Sequence, residues 1–149
     1  MIVYRISIAK YSTKLIASGN PARWNSKDIK VIYTAQSNAL ACLENVVHRN
    51  SRGLQKDFRQ MNIAIPDAIE MEEIKETDLK PEWKDFLQMP YTQSIGDAWI
   101  NAAKTSVLKV PSAIIPGDSN YLLNPSHKDF VKIKLIKTIP FKFDSRIKM

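Results

Sequence analysis

Apolar and polar residues alternate at the start of the chain. Ile2, Tyr4, Ile6 and Ile8 interleave with Val3, Arg5 and Ser7, a period of two that predicts an opening β-strand. On that strand Arg5 lies off the Ile2/Ile6 face and points to solvent or into a cleft. A turn follows at SGNPA, where Gly19, Asn20 and Pro21 supply the backbone chemistry. Lys30–Thr34 reads as a second short strand. From Ser37 to His48 the period changes to helical, with Leu40, Leu43 and Val47 on one stripe and Ser37 placed to cap the first turn. The polar break NSRG leads to a short periodic piece at Leu54, Phe58 and Met61. Asn62–Ile74, with its four isoleucines around Pro66, has room for a strand.

The acidic run EMEEIKETDLKPEW reads as a surface connection. Trp83, Phe86 and Leu87 have helical spacing that stops at Pro90. A second clear helix starts at about Thr92 or Ser94 and runs to Lys104, with Ile95, Ala98, Trp99, Ala102 and Ala103 as its apolar stripe. Then comes a strand around Val107–Val110 that Pro111 marks as an edge or a bulge. A turn-rich return, SNYLLNPSHKDF, precedes alternation at Val131, Ile133 and Leu135 and again at Ile139, Phe141 and Phe143. These are two half-buried strands, or one bent at Pro140. Strands at both ends around central helices predict one α+β domain over 1–149, its sheet mainly antiparallel.

Charge narrows the choice of ligand. The net charge is +7, but residues 67–85 carry eight acidic and three basic groups, whereas residues 1–66 carry ten basic and three acidic. Basic ends around an acidic middle suit an anionic ligand or an acidic protein partner. A non-catalytic nucleic-acid or partner-binding module is one reading, but no basic helix, zinc finger or aromatic platform supports it. One cysteine, Cys42, makes no internal disulfide and fits a reducing cytoplasm, its ordinary role being a small buried side chain. With it, the two histidines, His48 and His127, make no metal-ligand set. No run is long enough to span a membrane, and the N-terminus lacks a secretory layout.

One residue breaks the hydrophobic pattern. At about 100° per residue Glu44 lies about 40° from Leu40, inside or against the apolar stripe of its helix. A carboxylate there is costly unless paired. Either it pairs with an arginine or a backbone amide at the edge of the stripe, or it lines a pocket on which Arg23 and Tyr33 converge. Spacing leaves both open.

Six fragments in order add a family. ARWN around Arg23, VIYTA with Tyr33, ALACLENVVH with Glu44, VPSAIIP with Ser112, NYLLNPSH and the terminal FDSR resemble the RES-domain toxins of bacterial toxin–antitoxin pairs. The resemblance implies a fold similar to the ADP-ribosyltransferase core and a site that consumes NAD as substrate by breaking its nicotinamide–ribose bond. Water, phosphate or a protein side chain is then the acceptor. It also implies a cognate antitoxin of the Xre helix-turn-helix type, with DNA reached only through that antitoxin.

Under that resemblance Glu44 stabilises the ribose cation, Arg23 holds the diphosphate or a ribose edge, and Tyr33 stacks and donates its hydroxyl. Ser112, Asn120 and Arg5 are further substrate contacts, and Ser112 is no nucleophile because no histidine base stands near it in sequence. Asn25, Asn124 and His127 are read as loop-fixing residues. Where the family usually has two glycines before the Arg-Trp pair, this chain has Pro21 and Ala22. The acceptor leaves two enzymes in view: a glycohydrolase or phosphorylase that degrades NAD, and a mono-ADP-ribosyltransferase that modifies a cellular protein.

Overall fold

The computed structural model describes residues 1–49 and 53–147, so the NSRG break lies outside the described residues except for Gly53. Seven strands form one sheet: β1 (Ile2–Ile8), β2 (Ile32–Ala35), β3 (Phe58–Ala64), β4 (Met71–Glu73), β5 (Val107–Pro111), β6 (Ser119–Leu123) and β7 (Lys134–Phe141). Their spatial order is β4-β5-β6-β2-β1-β3-β7. Every pair is antiparallel except β4 with β5. That parallel pair requires a crossover, and helix α2 (Met89–Ala102) lies within it. Helix α1 (Asn38–His48) follows β2 directly. The α+β, mainly antiparallel architecture agrees with the alternation in the sequence.

The joint between β1 and β2 positions the site. β1 pairs with β3 along its whole length, from Ile2 opposite Ala64 to Ile8 opposite Phe58. Against β2 it makes one residue pair, Tyr4 opposite Ala35. The sheet is therefore two well-paired halves that part beyond that contact. Helix α1 seals one side of the joint, packing Leu40 and Ala41 with Ile6, Ala35 and Phe58. Under α2 a second cluster joins Trp24, Trp83, Trp99, Leu108 and Leu122. A third gathers Val3, Ile32, Met61, Ile63 and Leu123.

Several local expectations are corrected. Ser37 does cap α1, its Oγ accepting from the Leu40 amide at 3.1 Å, but the buried residues of that helix are Leu40 and Ala41, and Val47 is 59 % exposed. Phe58 and Met61 belong to β3, not to a helix; β3 lies between β1 and β7 with both residues buried, so burial there does not alternate. The strand expected within Asn62–Ile74 is split, β3 ending at Ala64 and β4 occupying Met71–Glu73. The acidic run opens with a strand and lies on the surface as expected, with most of its charged residues exposed and only Leu79 and Trp83 buried to pin it.

Pro90 begins α2 instead of stopping a helix, because a first-turn proline needs no N–H partner. The buried face of α2 is Thr92, Gly96 and Trp99, while Ala98 and Ala102 are exposed. The helix stops at Ala102, and Ala103 adopts a left-handed cap with φ 50°. The second strand is Ile32–Ala35. β5 is an inner strand, but its pairing with β4 ends at Lys109, so Pro111 closes it where only β6 is paired, a local edge. The last alternation is one strand, β7, at the edge of the sheet; it runs through Pro140 without a break, Phe143 falls beyond its end, and Val131 belongs to a short 3-10 turn at Lys128–Lys132.

Candidate functional site

The gap between the sheet halves is a cleft of about 790 Å³. Its walls come from β1 (Arg5), the loop before β2 (Arg23), β2 (Tyr33), α1 (Glu44) and β6 (Asn120). Five of the six residues expected to form a site thus meet in one cavity. Ser112 is the sixth, and it is not among the lining residues. It is buried, and its Oγ accepts from the amides of Ile114 and Ile115, both at 3.0 Å. Its neighbours Ala113 and Ile114 line the cleft instead, so Ser112 shapes the wall from behind.

Glu44 has a side chain 27 % exposed. One oxygen, Oε1, accepts from Asn120 Nδ2 at 2.9 Å. The other, Oε2, lies 3.3 Å from His48 Nε2, one helical turn on. Its partners are therefore an amide side chain and an imidazole, not the arginine or backbone amide that spacing left open. Both partners hold the carboxylate at a fixed orientation from two different elements, α1 and β6. His48 is a site residue the sequence reading passed over; its i+4 position relative to Glu44 was the available signal.

Arg23 is carried on a loop fastened at many points. Its backbone carbonyl accepts from Thr92 Oγ1 at 2.6 Å, and the Ala22 carbonyl accepts from Gln93 Nε2 at 2.9 Å. The Ser26 amide donates to Asp97 Oδ1 at 2.9 Å. All three anchors project from α2. Gly96 completes the seam, for a Cβ there would fall 1.7 Å from the Trp24 carbonyl oxygen. The guanidinium itself donates from Nη1 to the Trp83 carbonyl at 3.1 Å and stacks 5.7 Å from the Trp83 ring centroid. Burial lowers its pKa, and the nearby Glu44 charge and then Tyr33 act the other way. An arginine so perturbed is still a cation. Neither Pro21 nor Ala22 has a positive φ, so these two positions need no left-handed geometry of the kind glycine would allow; the loop's left-handed residues are Gly19 and Asp28.

Tyr33 reaches back to the same loop. Its hydroxyl donates to Asn25 Oδ1 at 2.6 Å and accepts from the Trp24 amide at 3.1 Å. Burial raises its pKa well above the ordinary 10.0, so it is a neutral phenol. Asn25 fixes the loop as expected, its Nδ2 donating to the carbonyls of Asn20 and Ile29, both at 2.9 Å. Asn124 and His127 likewise accept from local amides, at Ser126 and Asp129. Arg5 is directed into the cleft, not to solvent; Nη1 donates to the Tyr33 carbonyl at 3.2 Å, and burial lowers its pKa.

The charge balance of the cavity is clear. Arg5, Arg23 and Arg49 line it, and none forms an ion pair with a carboxylate among the described residues. Among the described residues Glu44 is its one acidic lining residue. A cleft with three guanidiniums, none in an ion pair among the described residues, around one oriented carboxylate favours an anionic ligand.

The comparison with known families decides the relationship. The model of the family described as RES domain matches residues 2–144. The chain belongs to the RES-domain family. This RES domain is 36% identical over 154 residues to "Toxin Res" of Photorhabdus laumondii, covering 99% of this chain and 97% of that one. It is also 36% identical over 127 residues to the "Prs ADP-ribosylating toxin" of Sphingobium sp., covering 84% of this chain and 79% of that one. Among solved structures it matches a chain in the crystal structure of the M. tuberculosis MbcT–MbcA toxin–antitoxin complex. That match has a TM-score of 0.79 over 95% of this chain and 84% of the other, at 16% identity. The fold of the RES domain is thus shared with that chain. No helix among its described residues is long and apolar enough to cross a membrane.

Proposed function

We propose that this RES domain is the toxin of a toxin–antitoxin pair and degrades NAD by cleaving the bond between nicotinamide and ribose. The observation that carries the reading is Glu44, held by Asn120 and His48 in a cleft whose other charged lining residues are arginines. When the C1′–N1 bond breaks, its electron pair goes to the nicotinamide ring, which leaves neutral, and C1′ turns cationic. A fixed carboxylate beside C1′ stabilises that charge more than it stabilises the ground state. Water then adds to C1′ and loses a proton, giving ADP-ribose; phosphate in its place gives the phosphorolysis product.

In this reading the arginines hold the anionic part of the dinucleotide, as planar guanidiniums suit phosphate oxygens. Tyr33, as a neutral phenol, presents its ring to the ligand while its hydroxyl ties the Arg23 loop to β2. The domain acts in the cytoplasm, and a cognate Xre-type antitoxin neutralises it. The names of the relatives and the toxin–antitoxin complex of the structural neighbour support this pairing. Contact with DNA comes only through that antitoxin. Incubation with NAD, with and without phosphate, tests the chemistry. Release of nicotinamide with ADP-ribose in both buffers marks a glycohydrolase, and an ADP-ribose phosphate formed only with phosphate marks a phosphorylase.

A second reading keeps the site and changes the acceptor to a protein side chain. The relative named as an ADP-ribosylating toxin favours it. NAD labelled in its adenosine half then transfers label to a protein band, where a hydrolase leaves only small products.

A further inference from the structure

We propose that Arg49, at the C-terminal end of α1, is the arm that binds the diphosphate of the dinucleotide. The inference rests on the NAD-cleaving reading for the identity of the ligand, and on the geometry of α1 for the assignment. The cleft follows α1 from Ala41 through Glu44 to Arg49. Arg49 comes five residues after Glu44, about 7.5 Å further along the axis at 1.5 Å per residue. If Glu44 faces C1′ of the nicotinamide ribose, a cation one ribose further along the same wall meets the 5′-phosphate.

The side chain is built to stay there. Its Nε donates to Asn45 Oδ1 at 3.1 Å, and its guanidinium carbon stacks 5.2 Å from the Phe58 ring centroid. Asn45 is itself fixed, its Nδ2 donating to the carbonyls of Ile6 and Ala41 at 3.2 and 3.0 Å. Those contacts engage Nε and one face of the guanidinium. Among the described residues its Nη groups have no carboxylate partner. The negative end of the α1 dipole favours a cation at this terminus.

The other two arginines are placed differently. Arg5 spends Nη1 on the Tyr33 carbonyl and Arg23 spends Nη1 on the Trp83 carbonyl. Each is therefore tied through one Nη to a backbone carbonyl outside α1. Among the described residues Arg49 keeps both Nη groups without a hydrogen-bond partner, on the helix that carries Glu44, the planar fork that a diphosphate accepts in bidentate fashion.

Calorimetric titration of the full chain with ADP, which carries the diphosphate and lacks the nicotinamide ribose, tests this directly. The Arg49→Gln variant is expected to bind ADP about 10- to 100-fold more weakly, the loss typical of a charge-assisted contact. Adenosine, which has no phosphate, is expected to bind wild type and variant alike. Arg49→Lys keeps the charge and loses the fork, so it falls between the two; its side chain also keeps an apolar stem over Phe58. Equal ADP affinity in wild type and Arg49→Gln overturns the assignment, as does an equal loss of adenosine binding, which would mean that the cleft itself had collapsed. A wild type that binds ADP through Arg49 but releases no nicotinamide from NAD sinks the glycosidase reading and leaves this assignment standing.

Discussion

An alanine at position 96 would place a methyl carbon 1.7 Å from the Trp24 carbonyl oxygen and 2.7 Å from the Trp24 carbonyl carbon. No rotamer relieves that overlap, because both partners are backbone on one side and Cβ on the other. The seam between α2 and the Arg23 loop must open by well over an ångström. Overpacking of this kind costs about 1–3 kcal/mol. At about 2–4 °C per kcal/mol for a domain near this size, Tm is expected to fall by roughly 2–12 °C. The larger effect is on the site. Thr92, Gln93 and Asp97 hold the loop from the same helix face, so displacement of α2 moves Arg23 relative to Glu44. A misplacement of about 1 Å costs on the order of 10²-fold in rate. Calorimetry and initial rates of nicotinamide release, measured on one preparation, separate the two effects. A Gly96→Ala protein with wild-type Tm and wild-type kcat/KM would refute the claim that this close approach fixes the Arg23 loop.

The other predictions concern single contacts. Tyr33→Phe strips a partner from the Trp24 amide and from Asn25 Oδ1, and is expected to cost about 1–3 kcal/mol by denaturant titration. Because burial raises the Tyr33 pKa above its ordinary 10.0, the unfolded chain loses this proton first as pH rises. The stability that the neutral phenol contributes is whole below about pH 10 and declines above it. The gap in stability between wild type and Tyr33→Phe should therefore narrow above pH 10, and a constant gap would contradict the assignment. Ser112→Ala frees the amides of Ile114 and Ile115, and should lower Tm and raise KM more than it lowers kcat. Asn120→Ala removes one of the two groups holding Glu44; kcat should fall about 10-fold with little change in Tm, and an unchanged kcat would exclude a positioning role.

Sequence periodicity reached α1 through its one-sided burial and β1 through its alternating residue types, although β1 buries Val3 and Ser7 on one face and Ile6 on the other. Ser37 before a helical stripe located α1, and the alternation of Ile2 to Ile8 located β1. Glu44 stood out because a carboxylate against an apolar stripe needs a compensating partner. What failed was the reading of residues buried on two sides or at chain reversals. Phe58 and Met61 lie three apart, as on a helix, yet both are buried in an inner strand. Pro90 reads as a stop, but a proline is also tolerated in a first helical turn, and only tertiary context separates the cases. Phe86 and Leu87 share the helical spacing of Trp83, yet they are 80% and 86% exposed while Trp83 is buried. The partners of Glu44 illustrate the same limit. His48 lies one turn away and was within reach of sequence logic; Asn120 is 76 residues distant and meets Glu44 only because β6 pairs with β2.

The central claim is that the Glu44 carboxylate stabilises a ribose carbon as nicotinamide departs. Glu44→Gln keeps the shape of the side chain and its capacity to accept from Asn120, and removes the charge. Initial rates of nicotinamide release from NAD by wild type and by this variant, with Tm recorded for both, are the most direct measure. The account predicts turnover by wild type and a loss of at least about 10²-fold in kcat at nearly unchanged Tm. A folded Glu44→Gln protein that releases nicotinamide at the wild-type rate, or a wild type that releases none, would contradict it.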